Sequence, residues 1–182
     1  MNFATILGNT LSWATLIGQV LVIAIVISLL FFKHNKLISC VKKYGVLFAS
    51  VVVLTSIVGS LCYSDILGYE PCKLCWYQRI LMYPQIVILG LGMYIRDRNA
   101  TLYALVLSIL GMMASWYHYL MQLGFVPAGC DVVGYSVSCA KVFTMHLGYI
   151  TIPLMAFTAF VMITVFLVVY RIGGEGTGGS PG

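Results

Sequence analysis

Charge is the scarcest commodity in this 182-residue chain. Only 8% of its residues are charged, 61% are hydrophobic, and mean hydropathy is +1.00. A soluble domain of this length cannot hide so much apolar surface, so an integral membrane protein is expected. The net charge of +5 is not a nucleic-acid signal, because the basic residues form no single patch. Alternation is missing too: the apolar runs do not switch face every second residue, which excludes a membrane β-barrel. There is no internal repeat and no phosphate-binding glycine motif. The first apolar run lacks a basic segment before it and a small-residue cleavage site, so it reads as a retained span and not as a secretory signal.

What is present is a series of five apolar runs, at about 10–32, 45–64, 76–95, 100–122 and 147–170. Each is near the ~20 residues that a helix needs to cross a bilayer. Lysine and arginine sort between the connections. Lys33, Lys36, Lys42, Lys43, Arg96, Arg98 and Arg171 are seven of the ten basic residues, and all fall on one side of a five-span topology. That side is expected to be the cytoplasm. The N-terminus is then outside and the C-terminus inside. Both outer connections carry a cysteine pair, Cys72/Cys75 and Cys130/Cys139, on the disulfide-permissive side. Cys40 falls on the cytoplasmic side and Cys62 near the outer end of the second span.

The chemistry concentrates in Glu70-Pro71-Cys72-Lys73-Leu74-Cys75-Trp76-Tyr77-Gln78-Arg79. Cys75 is expected at the first turn of a membrane helix, where free N–H groups and the helix dipole favour a thiolate. Arg79 lies four residues on and shares its face. Spacing alone leaves a C-x-x-C open as a redox pair, a metal half-site or a structural bridge. Arg79 reads either as a snorkelling anchor or as a polar contact to a ligand oxygen. His118 is expected at a depth similar to Arg79 on the next arm of a helical hairpin. It reads either as a satisfied carbonyl partner or as a ligand or proton group. The outer segment from Gln122 to His146 holds Gly124, Pro127, Gly129 and Gly134 and is turn-rich. Its Cys130 and Cys139 make either a staple or a labile, exchangeable disulfide. The third span also carries Tyr83 and Pro84, and the proline suggests a kink whose freed carbonyl is satisfied by a neighbouring helix.

The stretch from Pro71 through Arg79, continuing Ile80-Leu81-Met82-Tyr83-Pro84, resembles the signature of the DsbB/BdbC disulfide bond formation proteins, especially the BdbC branch. Tyr117-His118-Tyr119-Leu120, the Cys130/Cys139 loop and Ile150-Thr151-Ile152-Pro153 match in the same order, over about residues 45–170. The resemblance implies an all-α membrane protein: a four-helix transmembrane bundle at 45–172, an added N-terminal span and connection at 1–44, and a flexible Gly-rich tail at 173–182. It implies a protein dithiol:quinone oxidoreductase of the bacterial cytoplasmic membrane. Cys130 and Cys139 would re-oxidise a soluble DsbA- or BdbD-like thioredoxin-fold thiol oxidase. Cys72 would exchange with that pair, and Cys75 would face a quinone, ubiquinone or menaquinone. Arg79 and His118 would contact the quinone, and no metal is implied. Such a relay keeps a bacterial periplasm oxidising. Two departures stand out: the first span has no counterpart in the four-helix core, and the Cys130–Cys139 spacing is shorter than in the proteobacterial branch. The rival readings are a zinc site on Cys72, Cys75, Cys130 and Cys139, a scaffold with two structural disulfides, and a conduit that reduces outer disulfides.

Overall fold

A computed structural model describes residues 3–31, 36–126, 138–139, 142, 145 and 148–175. Five α-helices carry them: α1 Phe3–Phe31, α2 Lys36–Leu61, α3 Lys73–Ile95, α4 Ala100–Gln122 and α5 Ile152–Glu175. No strand occurs among the described residues. Helices are the expected solution, because lipid offers nothing to hydrogen-bond an open backbone. Serine and threonine side chains follow the same rule. Ser12, Thr15, Ser50, Ser56, Ser115 and Thr158 each donate to the carbonyl four residues back, hiding their hydroxyls inside their own helices.

Four stretches are long and apolar enough to cross a membrane: Thr5–Phe31, Lys36–Ile66, Ala100–Gln122 and Ile152–Gly173. Helix α3 is not among them, although its 23 residues equal the length of α4. Its polar residues dilute it, and two of them, Gln78 and Gln85, are buried among the helices. The Gln85 amide donates to the Leu81 carbonyl at 2.9 Å and accepts from the Ser108 hydroxyl at 3.0 Å, tying α3 to α4.

Helix α5 is the centre of the bundle. It packs on α2, α4 and α1, while α3 completes the bundle between α2 and α4. The core holds Val53, Leu89, Phe160, Ile163, Phe166 and Leu167. Lipid tails are as apolar as these side chains, so close fit and not water exclusion must hold the helices together. Glycine supplies the fit. A Cβ at Gly111 would strike the Phe160 ring, and one at Gly45 would lie 2.7 Å from the Phe166 carbonyl oxygen. Helix α1 lies outside this bundle, against α5 and α2. A Cβ at Gly18 would come within 2.6 Å of the Met162 sulfur.

The helix limits depart from the expected runs. Helix α1 begins at Phe3 and not near 10, and α2 begins at Lys36 and not at 45. Long basic side chains tolerate a helical end near a membrane surface, because the charge reaches back to water. Helix α5 starts at Ile152 and not at 147. Gly148 takes φ +78° just before it, and a proline such as Pro153 is accommodated in a first helical turn. The expected tail at 173–182 is helical as far as Glu175, and 176–182 lie outside the described residues.

Lys42, Arg98 and Arg171 gather at one end. Arg98 donates to the Arg171 carbonyl at 2.9 Å, and Arg171 donates to the Arg98 carbonyl and to the Thr101 hydroxyl. A Cβ at Gly173 would touch the Lys42 side chain at 2.6 Å. Cys72 and Cys75 lie at the other end of α3 from Arg96 and Arg98.

Candidate functional site: a dithiol between a buried cysteine cluster and an apolar cavity

The site is built by the short connection from α2 to α3. The last turn of α2 widens into a π turn over Cys62–Ile66, in which the Leu67 N–H reaches the Cys62 carbonyl at 3.1 Å. Tyr63 and Tyr69 stack across the turn, 6.0 Å between ring centroids. Gly68 at φ +67° reverses the chain. Pro71 and an extended Cys72 then lead into α3, and the Cys72 carbonyl accepts the Trp76 N–H at 3.1 Å. Cys72 is therefore the N-cap, and Cys75 sits in the first turn, as expected from the sequence.

The Cys72 thiol donates to the Cys75 sulfur across 3.2 Å. That bond, reinforced by burial, pushes the Cys72 thiol up to about 12, and the nearby His118 only partly offsets it. His118 is 2% exposed, and its contacts fix its tautomer. Nε2 lies 3.1 Å from the Cys139 carbonyl oxygen, which can only accept, so Nε2 carries a proton. Nδ1 receives the Gln78 amide at 3.0 Å. The same Nε2 is 3.6 Å from the Cys72 sulfur. Cys72, Met121 and the fully buried Cys139 pack as one cluster, with Leu74 and Cys75 against it. Three segments distant in sequence thus meet at one dithiol.

Cys75 also borders something else. A cavity of about 300 Å³ lies among α1, α2, α3 and α5, with Cys75, Gln78, Arg79, Met82 and Tyr83 on its α3 wall. Leu11, Ala14 and Thr15 of α1 form part of the wall. Cys72 and His118 do not line it. Arg79 is held in place: Nε donates to the Ser60 hydroxyl at 2.9 Å and Nη2 to the Ser60 carbonyl at 3.0 Å. Its guanidinium also lies 5.5 Å from the Trp76 ring centroid.

The structure brings Cys72, Cys75, Cys139 and His118 together and sets Arg79 on the cavity wall beside Cys75. It does not pair His118 with Arg79 across the α3–α4 hairpin. His118 turns to the cysteine cluster, and the adjacent Gln78 meets it. Cys130 lies outside the described residues. Of the other cysteines, Cys40 is exposed near the basic end and Cys62 opens the π turn. Sequence reasoning missed Gln78 and Ser60. Gln78 carried a signal, because it falls one helical turn after Cys75 in a stretch otherwise facing lipid or helix. Ser60 carried none, because a serine near a helix end bonds its own backbone as readily as an arginine.

Comparison with known proteins agrees with this architecture. Residues 42–170 match the family described as "Disulfide bond formation protein DsbB". The chain is 47% identical over 116 residues to "Probable disulfide formation protein C" of Halalkalibacterium halodurans, covering 63% of this chain and 84% of that protein. It is 41% identical over 126 residues to "Disulfide bond formation protein C" of Bacillus subtilis, covering 69% and 91%. It is 36% identical over 130 residues to "Probable disulfide formation protein" of Coxiella burnetii, covering 70% and 87%. No solved structure matches significantly. Helix α1 and the start of α2 precede the matched region, and the dithiol, His118 and Cys139 all fall within it. The chain is a multi-pass membrane protein and belongs to the DsbB family of disulfide bond formation proteins.

Proposed function

We propose that this protein is a dithiol:quinone oxidoreductase that re-oxidises a soluble thioredoxin-fold thiol oxidase. The observation that carries the reading is the position of Cys75, packed against the buried cysteine cluster on one side and lining the apolar cavity on the other. Thiol exchange and electron delivery need those two environments side by side. The partner's two thiols reduce the Cys130–Cys139 disulfide, and the partner leaves as a disulfide. A Cys139 thiolate then attacks the Cys72 sulfur of the Cys72–Cys75 disulfide, and Cys75 leaves. Cys130 attacks Cys139 in the mixed bond, re-forming the loop disulfide and leaving Cys72 and Cys75 as the dithiol. Two electrons and two protons have moved from the partner to that pair. Burial of Cys139 beside Cys72 favours Cys139 as the loop thiol for this exchange and leaves Cys130 for the partner.

The residues around the cavity fit a quinone. The cavity is apolar on most sides, within the size range of small-molecule sites, and bordered by Cys75 and Arg79. A quinone supplies a sink for two electrons and two protons. Cys75 presents the electrons, Arg79 orients an oxygen, and the apolar wall keeps water out. His118 holds the dithiol in place, with Gln78 and the Cys139 carbonyl fixing its ring. Both cysteine pairs face the extracytoplasmic side in this reading, which follows Lys42, Arg98 and Arg171 gathered at the other end.

Anaerobic reduction of the purified protein, followed by quinone addition and thiol counting, tests the reading. Loss of the Cys72, Cys75, Cys130 and Cys139 thiols is expected, with Cys40 and Cys62 still titrating. Retention of all the thiols would remove it. A metal site is the second reading, because one ligand atom each from Cys72, Cys75 and His118 lie within 4.8 Å of one another. The Nε2 proton directed at the Cys139 carbonyl opposes it, since a metal needs that nitrogen bare. Stoichiometric zinc in the reduced protein would favour the metal.

A further inference from the structure

The cavity beside Cys75 is deeper than the chemistry at its outer end requires. Its α3 wall runs from Cys75 to Tyr83 and its α2 wall from Ser60 back to Val52, a depth of ~12 Å on either helix. Its α5 wall runs from Ile152 to Met162, ~15 Å. Two contacts fix the depth of α1 independently. A Cβ at Gly59 would lie 3.4 Å from Leu11, near the outer end, and one at Gly18 would lie 2.6 Å from the Met162 sulfur, at the deep end. The two ends differ in chemistry. Ser60, Glu70, Cys75 and Arg79 border the outer end. The deep end presents Val52, Ala159 and Met162, each only partly buried. The hydroxyls along the way are already used. Thr15, Thr55, Ser56 and Thr158 each donate to the carbonyl four residues back in their own helix, and the Tyr83 hydroxyl oxygen is itself buried.

A molecule that fills such a space is polar at one end and apolar along its length. A bare ring at Cys75 would leave the deep end empty, and an unfilled apolar gap forfeits packing contacts on every wall. We propose that the deep end is a subsite for the apolar tail of a membrane quinone, whose ring lies at Cys75 and Arg79 and whose first tail segment lies along Val52, Ala159 and Met162. The inference rests on the reading of the cavity as a quinone site, and it adds the direction in which the ligand lies. Fit, and not hydrophobicity, sets its energetics. The tail comes from lipid as apolar as the subsite, so the transfer itself gains little. An obstruction in the subsite, in contrast, costs as overpacking does. The subsite therefore distinguishes tailed from tail-less rings by shape.

Two quinones with the same benzoquinone ring serve as probes of the full-length, detergent-purified protein, one with a decyl tail and one with a methyl group in its place. The quantity read is the ratio of the apparent KM for the decyl quinone to that for the tail-less one. Ala159→Phe and Val52→Phe each place a ring in the deep end, from the α5 and the α2 wall. Each should raise that ratio about tenfold, or ~1.4 kcal/mol, the low end of what overpacking costs. A ratio unchanged in both variants overturns the inference. If neither KM moves, the tail lies elsewhere; if both rise together, the deep end holds the ring. A wild-type protein that reduces neither quinone removes the quinone reading itself, which is a separate failure. A decyl-type quinone carrying a diazirine midway along its tail tests the same placement in the unaltered protein. Photolysis and peptide mass spectrometry should find the label on α2 or α5 around Val52, Ala159 or Met162. Label confined to the exposed side of α1, at Trp13 and Ile17, would overturn the inference.

Discussion

Helices α1 and α3 are built on opposite plans. Helix α1 is 29 residues long and has no charged side chain. It exposes Trp13, Ile17, Val20, Ile23 and Leu30. A stripe holding Ser12, Thr15, Gly18 and Ile25 is buried against the rest of the protein, with Gln19, Leu21 and Leu29 beside it. Helix α3 is shorter and too polar to count as a membrane span by composition. Yet it supplies the dithiol, Arg79 and Gln78. The most membrane-like helix is a wall, and the least membrane-like helix is the site. Polar residues are costly at membrane depth and are placed where they face protein or a cavity. Gln78, Gln85 and Arg79 all do so. The polarity of α3 is therefore the mark of what it does.

The sharpest way to break the comparison is to remove a site thiol. Cys72→Ala and Cys75→Ala should each abolish quinone-dependent oxidation of a partner dithiol in a stopped assay, while folding, read by thermal unfolding, survives. Neither sulfur is a large part of the packing. Cys75→Ala should still trap nothing at the cavity, whereas Cys139→Ala should trap a mixed disulfide between Cys130 and the partner. Trapping by Cys75→Ala alone would exchange the roles of the two pairs.

Next in size is the support of His118. Gln78→Leu keeps volume but takes away the amide that Nδ1 accepts, so the imidazole can turn and the Cys139 carbonyl can lose its donor. Positioning partners of this kind are worth about 10–100-fold. Exchange between the loop pair and the dithiol should slow by that order in single-turnover thiol trapping, with the quinone KM unmoved. A KM change with exchange intact would place Gln78 with the cavity, whose wall it also reaches.

How much of this was legible beforehand divides along the same line. Apolar length made five helices readable, and the C-x-x-C after Pro71 made the first turn of α3 readable, because both are local properties of the chain. The buried cluster was less so. That His118 turns to Cys139 and not to Arg79 depends on how α3 and α4 rotate about their axes, and depth along a helix carries no rotation. The anchoring of Arg79 by Ser60 depends on the π turn that ends α2, which no composition signal announced. Nothing in residues 10–32 could say that Leu11, Ala14 and Thr15 close a cavity, because those residue types are equally at home against lipid.

Arg79→Lys should have an effect of the same order, confined to the cavity. Arg79 uses two nitrogens at fixed angles on one serine, which a lysine ammonium cannot copy. Loss of one hydrogen bond to a charged group is worth about 1.5–3 kcal/mol. A quinone KM higher by about 10–100-fold is expected in Arg79→Lys, with partner exchange unchanged when followed separately. Unchanged quinone kinetics in both Arg79→Lys and Arg79→Ala would leave Arg79 as an anchor for α3 on α2.

The smallest expected effect is the one that tests α1 itself. At Gly18 α1 lies tight against Met162 of α5, and Gln19 fastens the pair by donating to the Thr158 hydroxyl at 3.2 Å. Gly18→Leu must push α1 outward or repack Met162, at a cost of about 1–3 kcal/mol. The dithiol and its cluster do not touch that contact. The cavity wall does, because Ala14 and Thr15 lie one turn away on α1 and Met162 lines the same space. A rise of a few-fold in quinone KM is therefore expected, with thiol exchange at its normal rate. Trp13→Ala, on the exposed side of the same helix, controls for a general loss of α1 and should change neither quantity. If Gly18→Leu slows thiol exchange as much as it weakens quinone use, α1 supports the whole fold and is not a wall of the cavity. If Trp13→Ala matches Gly18→Leu, the contact with lipid, and not the contact with α5, sets the position of α1.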